Sequence, residues 1–216
     1  MIAVSAGRLV QRYGARVALG PLDLELEAGE RLAVLGDNGA GKTTLLRMLA
    51  TLARPAGGEL ELLGLDAVRQ RDRLRERLGF LGHQPGLTPM LTARENLEFF
   101  AGLHSLARST AGEALRRVGL EAAGEQRAGE LSRGMQQRLG LARATLHGPE
   151  LLILDEPDAS LDVPGRSLLA DLVEHRTVVL ATHDRILARR LCTRALLLRG
   201  GLAAGDPWRL VVLGEG

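Results

Sequence analysis

Lysine is almost absent from this sequence: of 28 lysine and arginine side chains, only Lys42 is a lysine. A guanine-reading Asn-Lys-x-Asp motif therefore cannot exist in the chain. Aromatic residues make up 2% of it, too few for a platform that stacks single-stranded bases. The one cysteine, Cys192, has no second thiol in the chain to pair with, which fits a reducing compartment. No Cys-x-x-Cys-His is present, so covalent haem attachment to this chain is excluded. No run approaches the roughly 18 apolar residues of a membrane-spanning helix. Arg8, Arg12 and Arg16 interrupt the first twenty residues, so no secretory leader is expected there.

What is present describes an ordinary globular chain. Of its 216 residues 45% are hydrophobic and 25% charged, enough for one domain with room for an inserted subdomain. The isoelectric point near 9.3 overstates its basicity. Net charge is +2 because 26 acids nearly balance the bases, and few groups titrate between neutrality and the arginine range. No nucleic-acid partner is expected. No internal repeat or low-complexity tract is visible.

Periodicity gives the order of elements. LDLELE (22–27) alternates apolar and acidic residues as a half-buried strand does, and RLAVLG (31–36) is a continuous apolar run ending in glycine. TLLRMLATL (44–52) has helical length and is stopped by Pro55 and Gly57-Gly58; GELELLG returns to strand. Residues 66–77 read as a polar surface helix, with Asp72 spaced to meet Arg69 and Arg75 and Glu76 to meet Arg73. Residues 85–145 are mostly helical. ELLILDEP, RTVVLATHD and RALLLRGG then read as buried strands, so a parallel core interrupted by a helical insertion is expected.

GDNGAGKT (36–43) fits G-x-x-x-x-G-K-[ST] and lies between a predicted strand and a predicted helix. Gly36, Gly39 and Gly41 let the backbone wrap a phosphate with its N–H groups inward, and the following helix adds its positive end. A compact ammonium on a thin stem fits such a cradle where a planar guanidinium does not, which accounts for the lone lysine. Thr43 is placed to put its hydroxyl on Mg²⁺, with Thr44 alongside. Asp37 is expected to face away from a phosphate.

LLILDEP sets Asp155 and Glu156 just past a buried strand, where open α/β sheets present ligands. Asp155 suits the shell of a Mg²⁺ ion and Glu156 a general base acting on water. Ser132 is expected to cap a helix carrying Gln136, Gln137 and Arg138. His183 ends the next strand. His104, His147 and His175 stand singly, without metal spacing, and read as surface or helix residues; His83 adjoins Gln84 and carries no assigned chemistry.

With ELSRGMQQRLGLARA (130–144), DASLD (158–162) and ATHD (181–184) added, the whole chain resembles an ATP-binding-cassette (ABC) ATPase subunit of a membrane transporter. The resemblance implies an α/β P-loop NTPase fold, a RecA-like core with an N-terminal antiparallel β subdomain and an inserted α-helical subdomain. It implies one ABC ATPase domain over 1–216, with 1–84 and 146–216 as nucleotide-binding core and 85–145 as the helical signature subdomain. It implies ATP and Mg²⁺ as ligands, held by Tyr13 on adenine, by Gly36, Asn38, Gly39, Ala40, Gly41, Lys42, Thr43 and Thr44 in the loop, and by Gln84 and Asp155 at the metal. Glu156, His183 and Gln84 are the implied catalytic group. Ser132 and Gly134 resemble the signature that reaches ATP held by a second subunit, and Asp162 the acid that communicates across that interface. Transmembrane permease subunits are implied partners, with the chain on the cytoplasmic face of the membrane. The usual Leu-Ser-Gly-Gly-Gln reads Leu-Ser-Arg-Gly-Met here, and a working signature is expected.

FLGHQPGLTPMLTARENLEFF (80–100) is similar to the ATP-binding subunits of haem exporters in cytochrome c maturation, the CcmA family. The short chain suits that family, with no regulatory extension expected after the last strand. The motor of a drug, lipid or polysaccharide exporter is the alternative. A P-loop kinase or GTPase would lack the signature, and a cassette acting on ribosomes or DNA would carry two cassettes or a long insertion.

Overall fold

The computed structural model describes residues 1–205; the expectations for residues 206–216 lie outside them. Strands β1 (Ile2–Tyr13) and β2 (Arg16–Glu27) form an antiparallel hairpin, followed by β3 (Arg31–Leu35) and helix α1 (Lys42–Leu49). β4 (Gly57–Leu62) and β5 (Leu65–Asp66) complete a four-stranded sheet of order β2-β1-β4-β5. In β2 the alternation is realised: Leu22, Leu24 and Leu26 are buried while Asp23, Glu25 and Glu27 face out.

After the short α2 (Arg71–Arg75) and β6 (Leu78–Leu81) come α3 (Ala93–Leu103), α4 (Ser109–Arg117) and α5 (Arg133–Thr145). β7 (Leu151–Asp155), α6 (Val163–Val173), β8 (Thr177–Ala181), α7 (Arg185–Leu191), β9 (Arg194–Arg199) and β10 (Leu202–Ala203) follow. The second sheet has the order β10-β9-β3-β8-β7-β6, parallel throughout except for β10. β7 and β8 are buried at every position, which is why they read as unbroken apolar runs.

Three apolar clusters hold these layers together. One joins the antiparallel sheet, α1 and one face of the parallel sheet, through residues such as Leu9, Leu46, Met48 and Ile153. A second covers the opposite face with α6 and α7. A third lies among α3, α4 and α5. Helix α5 belongs to both of the last two, with Leu141 and Ala144 in one and Leu139 and Ala142 in the other.

The helix expected over 66–77 is corrected to Arg71–Arg75. The Asp66 carboxylate accepts hydrogen bonds from the Val68 and Arg69 amides, both at 2.8 Å, and this local turn replaces the first helical turn. Arg69 accordingly pairs with Asp66 at 3.8 Å instead of with Asp72, while Asp72 meets Arg75 at 3.9 Å.

Candidate nucleotide site

The loop between β3 and α1, the end of β7 and the end of β8 emerge together at the carboxyl edge of the parallel sheet. They do so because β3, β8 and β7 are adjacent and parallel. A cleft of about 420 Å³ opens there, lined by Tyr13, Arg16, Val17 and Ala18 on one side and by Asn38, Gly39, Gly41, Lys42, Thr43, Thr44 and Glu156 on the other.

The loop needs glycine at two points. Gly36 has φ +147° and a Cβ there would collide with the Leu198 carbonyl; Gly41 has φ +103° and a Cβ would lie 2.8 Å from the Ala18 carbonyl oxygen. Gly41 caps α1 without any side-chain acceptor, and the first helical bond runs from the Leu45 amide to Gly41 O at 2.9 Å. The Lys42, Thr43 and Thr44 amides thus have no acceptor among the described residues and stand at the positive end of the helix, open to an anion. Ala40 is buried beneath the loop, where its carbonyl accepts from the Gly201 amide at 3.1 Å, so it offers backbone only.

Lys42 is 6% exposed, and its Nζ donates to Gly36 O at 2.7 Å and Asp37 O at 3.1 Å. The ammonium is held inside the loop by carbonyls alone, without a carboxylate partner among the described residues. Asp37 is exposed and contributes its carbonyl to that contact.

Asp155, at the last position of β7, is buried. Desolvation pushes its carboxyl above the ordinary carboxylate range, opposed by a hydrogen bond from Thr43, and the Glu156 charge raises it further. A buried carboxylate joined to a threonine hydroxyl is an all-oxygen donor pair with unspent negative charge. That chemistry fits a small hard cation such as Mg²⁺. Glu156 projects from a left-handed backbone turn, φ +52°. Its Oε1 lies 2.8 Å from His183 Nε2 and its Oε2 3.6 Å from His83 Nδ1.

His83 is thus a member of this group that sequence reasoning passed over. The Gly-His-Gln-Pro-Gly segment contains it, but its only signal for chemistry was its place beside Gln84. Gln84 itself is exposed and is not among the residues lining the cleft. Tyr13, half exposed, forms one wall at the end of β1. Ser132 caps α5, its hydroxyl accepting from the Met135 amide at 3.3 Å, and Asp162 caps α6, accepting from the Gly165 amide at 2.9 Å. Ser132, Gly134 and Asp162 all lie outside the cleft of their own chain.

His104 and His147 are corrected from single residues to a pair. Their rings stack with centroids 3.9 Å apart and planes 3° from parallel. His147 Nε2 donates to Leu78 O at 3.0 Å while its Nδ1 is buried without a partner among the described residues. Burial, and secondarily the neighbouring His104, lowers the His147 pKa to about 4. Cys192 is buried and its thiol is pushed up to about 12, an inert packing residue.

The family model described as ABC transporter matches residues 19–159, which include the loop, the signature and the acidic strand end. Over 208 residues the chain is 40% identical to the daunorubicin resistance ATP-binding protein DrrA3 of Streptomyces coeruleorubidus, covering 92% of this chain and 66% of that one. It is 42% identical to the cytochrome c biogenesis ATP-binding export protein CcmA of Salmonella typhi, over 83% of this chain and 89% of the relative. Among solved structures it resembles the dimeric post-hydrolysis state of the ATP-binding cassette MJ0796 bound to ADP and Pi. That match has TM-score 0.85 and 29% identity, over 94% of this chain and 97% of that one.

Proposed function

We propose, since this chain belongs to the ABC transporter family as an ATP-binding cassette, that two copies close around two ATP molecules and hydrolyse them to drive export through separate membrane subunits. The observation that carries this reading is the cleft in which Lys42, Thr43 and Glu156 meet beneath the open amides of α1. A triphosphate in the cleft takes the Lys42 ammonium on its β- and γ-phosphates, exchanging two neutral carbonyls for anionic oxygens. Adenine stacks on Tyr13. Asp155, Thr43 and Gln84 would hold Mg²⁺, which when bound would supply Lewis-acid charge to the phosphate oxygens.

Glu156 takes the proton of a water whose oxygen attacks the γ-phosphorus; the bond to the β–γ bridging oxygen breaks and ADP leaves. His183, within hydrogen-bond distance of Glu156, orients that carboxylate and the water. Ser132 and Gly134 of a second copy complete the site, with Asp162 at the same interface. Their position outside the cleft of their own chain supports this division, as does the dimeric state of the MJ0796 cassette. No helix among the described residues is long and apolar enough to cross a membrane.

The cargo assigned here is that of the cytochrome c maturation exporters, on the Gly-His-Gln-Pro-Gly segment and the 42% identity to a CcmA protein over 89% of its length. The drug-exporter reading is favoured by one specific observation, 40% identity to DrrA3 over 92% of this chain. The two separate on the membrane partner. The tagged chain is expressed in its own cells, membranes are gently solubilised, and the co-purifying chains are identified by mass spectrometry. Small multi-span subunits of the cytochrome c maturation type support the first reading; a drug or glycan permease replaces it with the second.

A further inference from the structure

Helix α5 reaches the rest of the chain at three levels. At its first turn Gly134 lies against the loop after β7, close enough that a Cβ would sit 2.9 Å from Ser160 O. At its far end Arg143 donates to Phe80 O at 2.8 Å and Pro85 O at 3.0 Å, pinning the segment that follows Gln84. Between them Gln137, 5% exposed, extends its carboxamide into the turn that carries Glu156. Its Nε2 donates to Glu156 O at 3.3 Å and to Pro157 O at 3.1 Å.

That turn is strained. Glu156 is not glycine yet has φ +52°, a conformation that persists only where the surroundings over-determine it. From one side the Glu156 amide donates to Ala181 O at 2.8 Å, tying the turn to β8. From the other side the Gln137 carboxamide provides the donor for two successive carbonyls. We infer that Gln137 is a positioning residue for ATP hydrolysis: it fixes the backbone turn from which Glu156 projects. It thereby links the signature helix of a subunit to that subunit's own general base.

Gln137 touches no substrate and acts through Glu156. A carboxylate displaced by about 1 Å from its water is enough to cost roughly a hundredfold in rate. The inference rests on the ATPase reading, and the following experiment separates the two. ATP affinity, kcat, KM and thermal midpoint are measured on the complex purified with its membrane subunits, as wild type, Gln137→Met and Thr145→Val. Methionine keeps the volume and removes the donor. Thr145 is buried on the same helix, and among the described residues its hydroxyl bonds within that helix, to the Leu141 and Ala142 carbonyls.

The result expected for Gln137→Met is a kcat lowered by about ten- to a hundredfold with ATP affinity within about threefold of wild type. Thr145→Val should keep kcat within about twofold whatever it does to the thermal midpoint. Should Gln137→Met not fold, Gln137→Asn, which keeps the amide but shortens its reach, is read in the same way. A kcat that stays near wild type, or that falls only in step with ATP affinity and thermal midpoint, overturns the inference. A wild-type complex that neither binds nor hydrolyses ATP overturns the ATPase reading instead.

Discussion

At Lys42 the ammonium meets two carbonyls inside a loop only a few residues wide, and almost no solvent reaches it. Charge alone does not explain this choice in a chain otherwise built with arginine. The space does. Lys42→Arg preserves the charge but forces a branched planar group into the loop, an overpacking worth roughly 1–3 kcal/mol. Nucleotide titration should therefore show ATP affinity at least ~10-fold weaker, and an affinity equal to wild type would refute the steric account. Arg133 is the opposite case. It is exposed at the start of α5 and its side chain makes no hydrogen bond or ion pair among the described residues. If the Ser132 hydroxyl and Gly134 amide make the phosphate contact, Arg133→Gly should leave ATPase activity within a few-fold. A rise of orders of magnitude would mean that the departure from the usual signature is inhibitory.

At the level of elements, what could be read in advance depended on whether the information was contiguous. The strand–loop–helix of residues 31–49 and the acids ending β7 were legible because their residues follow one another in the chain. The bounds of β1 carry no clean periodic signal: Gly7 and Arg8, the latter at φ +49°, break the alternation of its twelve residues. β6 escaped because it has four residues and one is Gly79, whose missing Cβ makes room for the Ala144 carbonyl of α5. The contacts of Glu156 with His83 and Gln137, and the stack of His104 on His147, join positions far apart in sequence and exist only through packing.

That stack, between the ends of α3 and α5, also gives the molecule a calculable response to acid. The imidazole of His147 has a folded pKa near 4, against about 6.5 when unfolded. Between those values the unfolded chain binds more protons, so stability falls as pH drops through that window and levels off below it. The same burial lowers His104, while the Glu76 charge opposes it. Thermal midpoints at pH 7.5 and pH 5 should differ in wild type, and His147→Gln should narrow the difference. An unchanged difference would assign the acid response to other groups.

On the scale of the whole molecule, the half-site argument decides most. The cleft holds the loop, Glu156 and Tyr13, while Ser132 and Gly134 lie outside it, so on the proposed reading a single copy presents an incomplete shell to the γ-phosphate. If a second copy supplies those contacts, the free energy of closing the dimer comes from nucleotide and is present only before cleavage. If Glu156 is the base, Glu156→Gln removes it while preserving size and most hydrogen bonding. This variant should bind ATP, lose turnover by at least ~10²-fold, and run at twice the monomer mass in light scattering with Mg²⁺ and ATP but not with ADP. Adding Ser132→Arg, which places a bulky chain where the second copy should contact phosphate, should return it to monomer without abolishing ATP binding. If the Glu156→Gln chain stays monomeric with ATP, the shared-site reading fails even though the ATP cleft stands. If it dimerises and the Ser132 substitution leaves that dimer intact, the contact surface is not the one assigned to the start of α5.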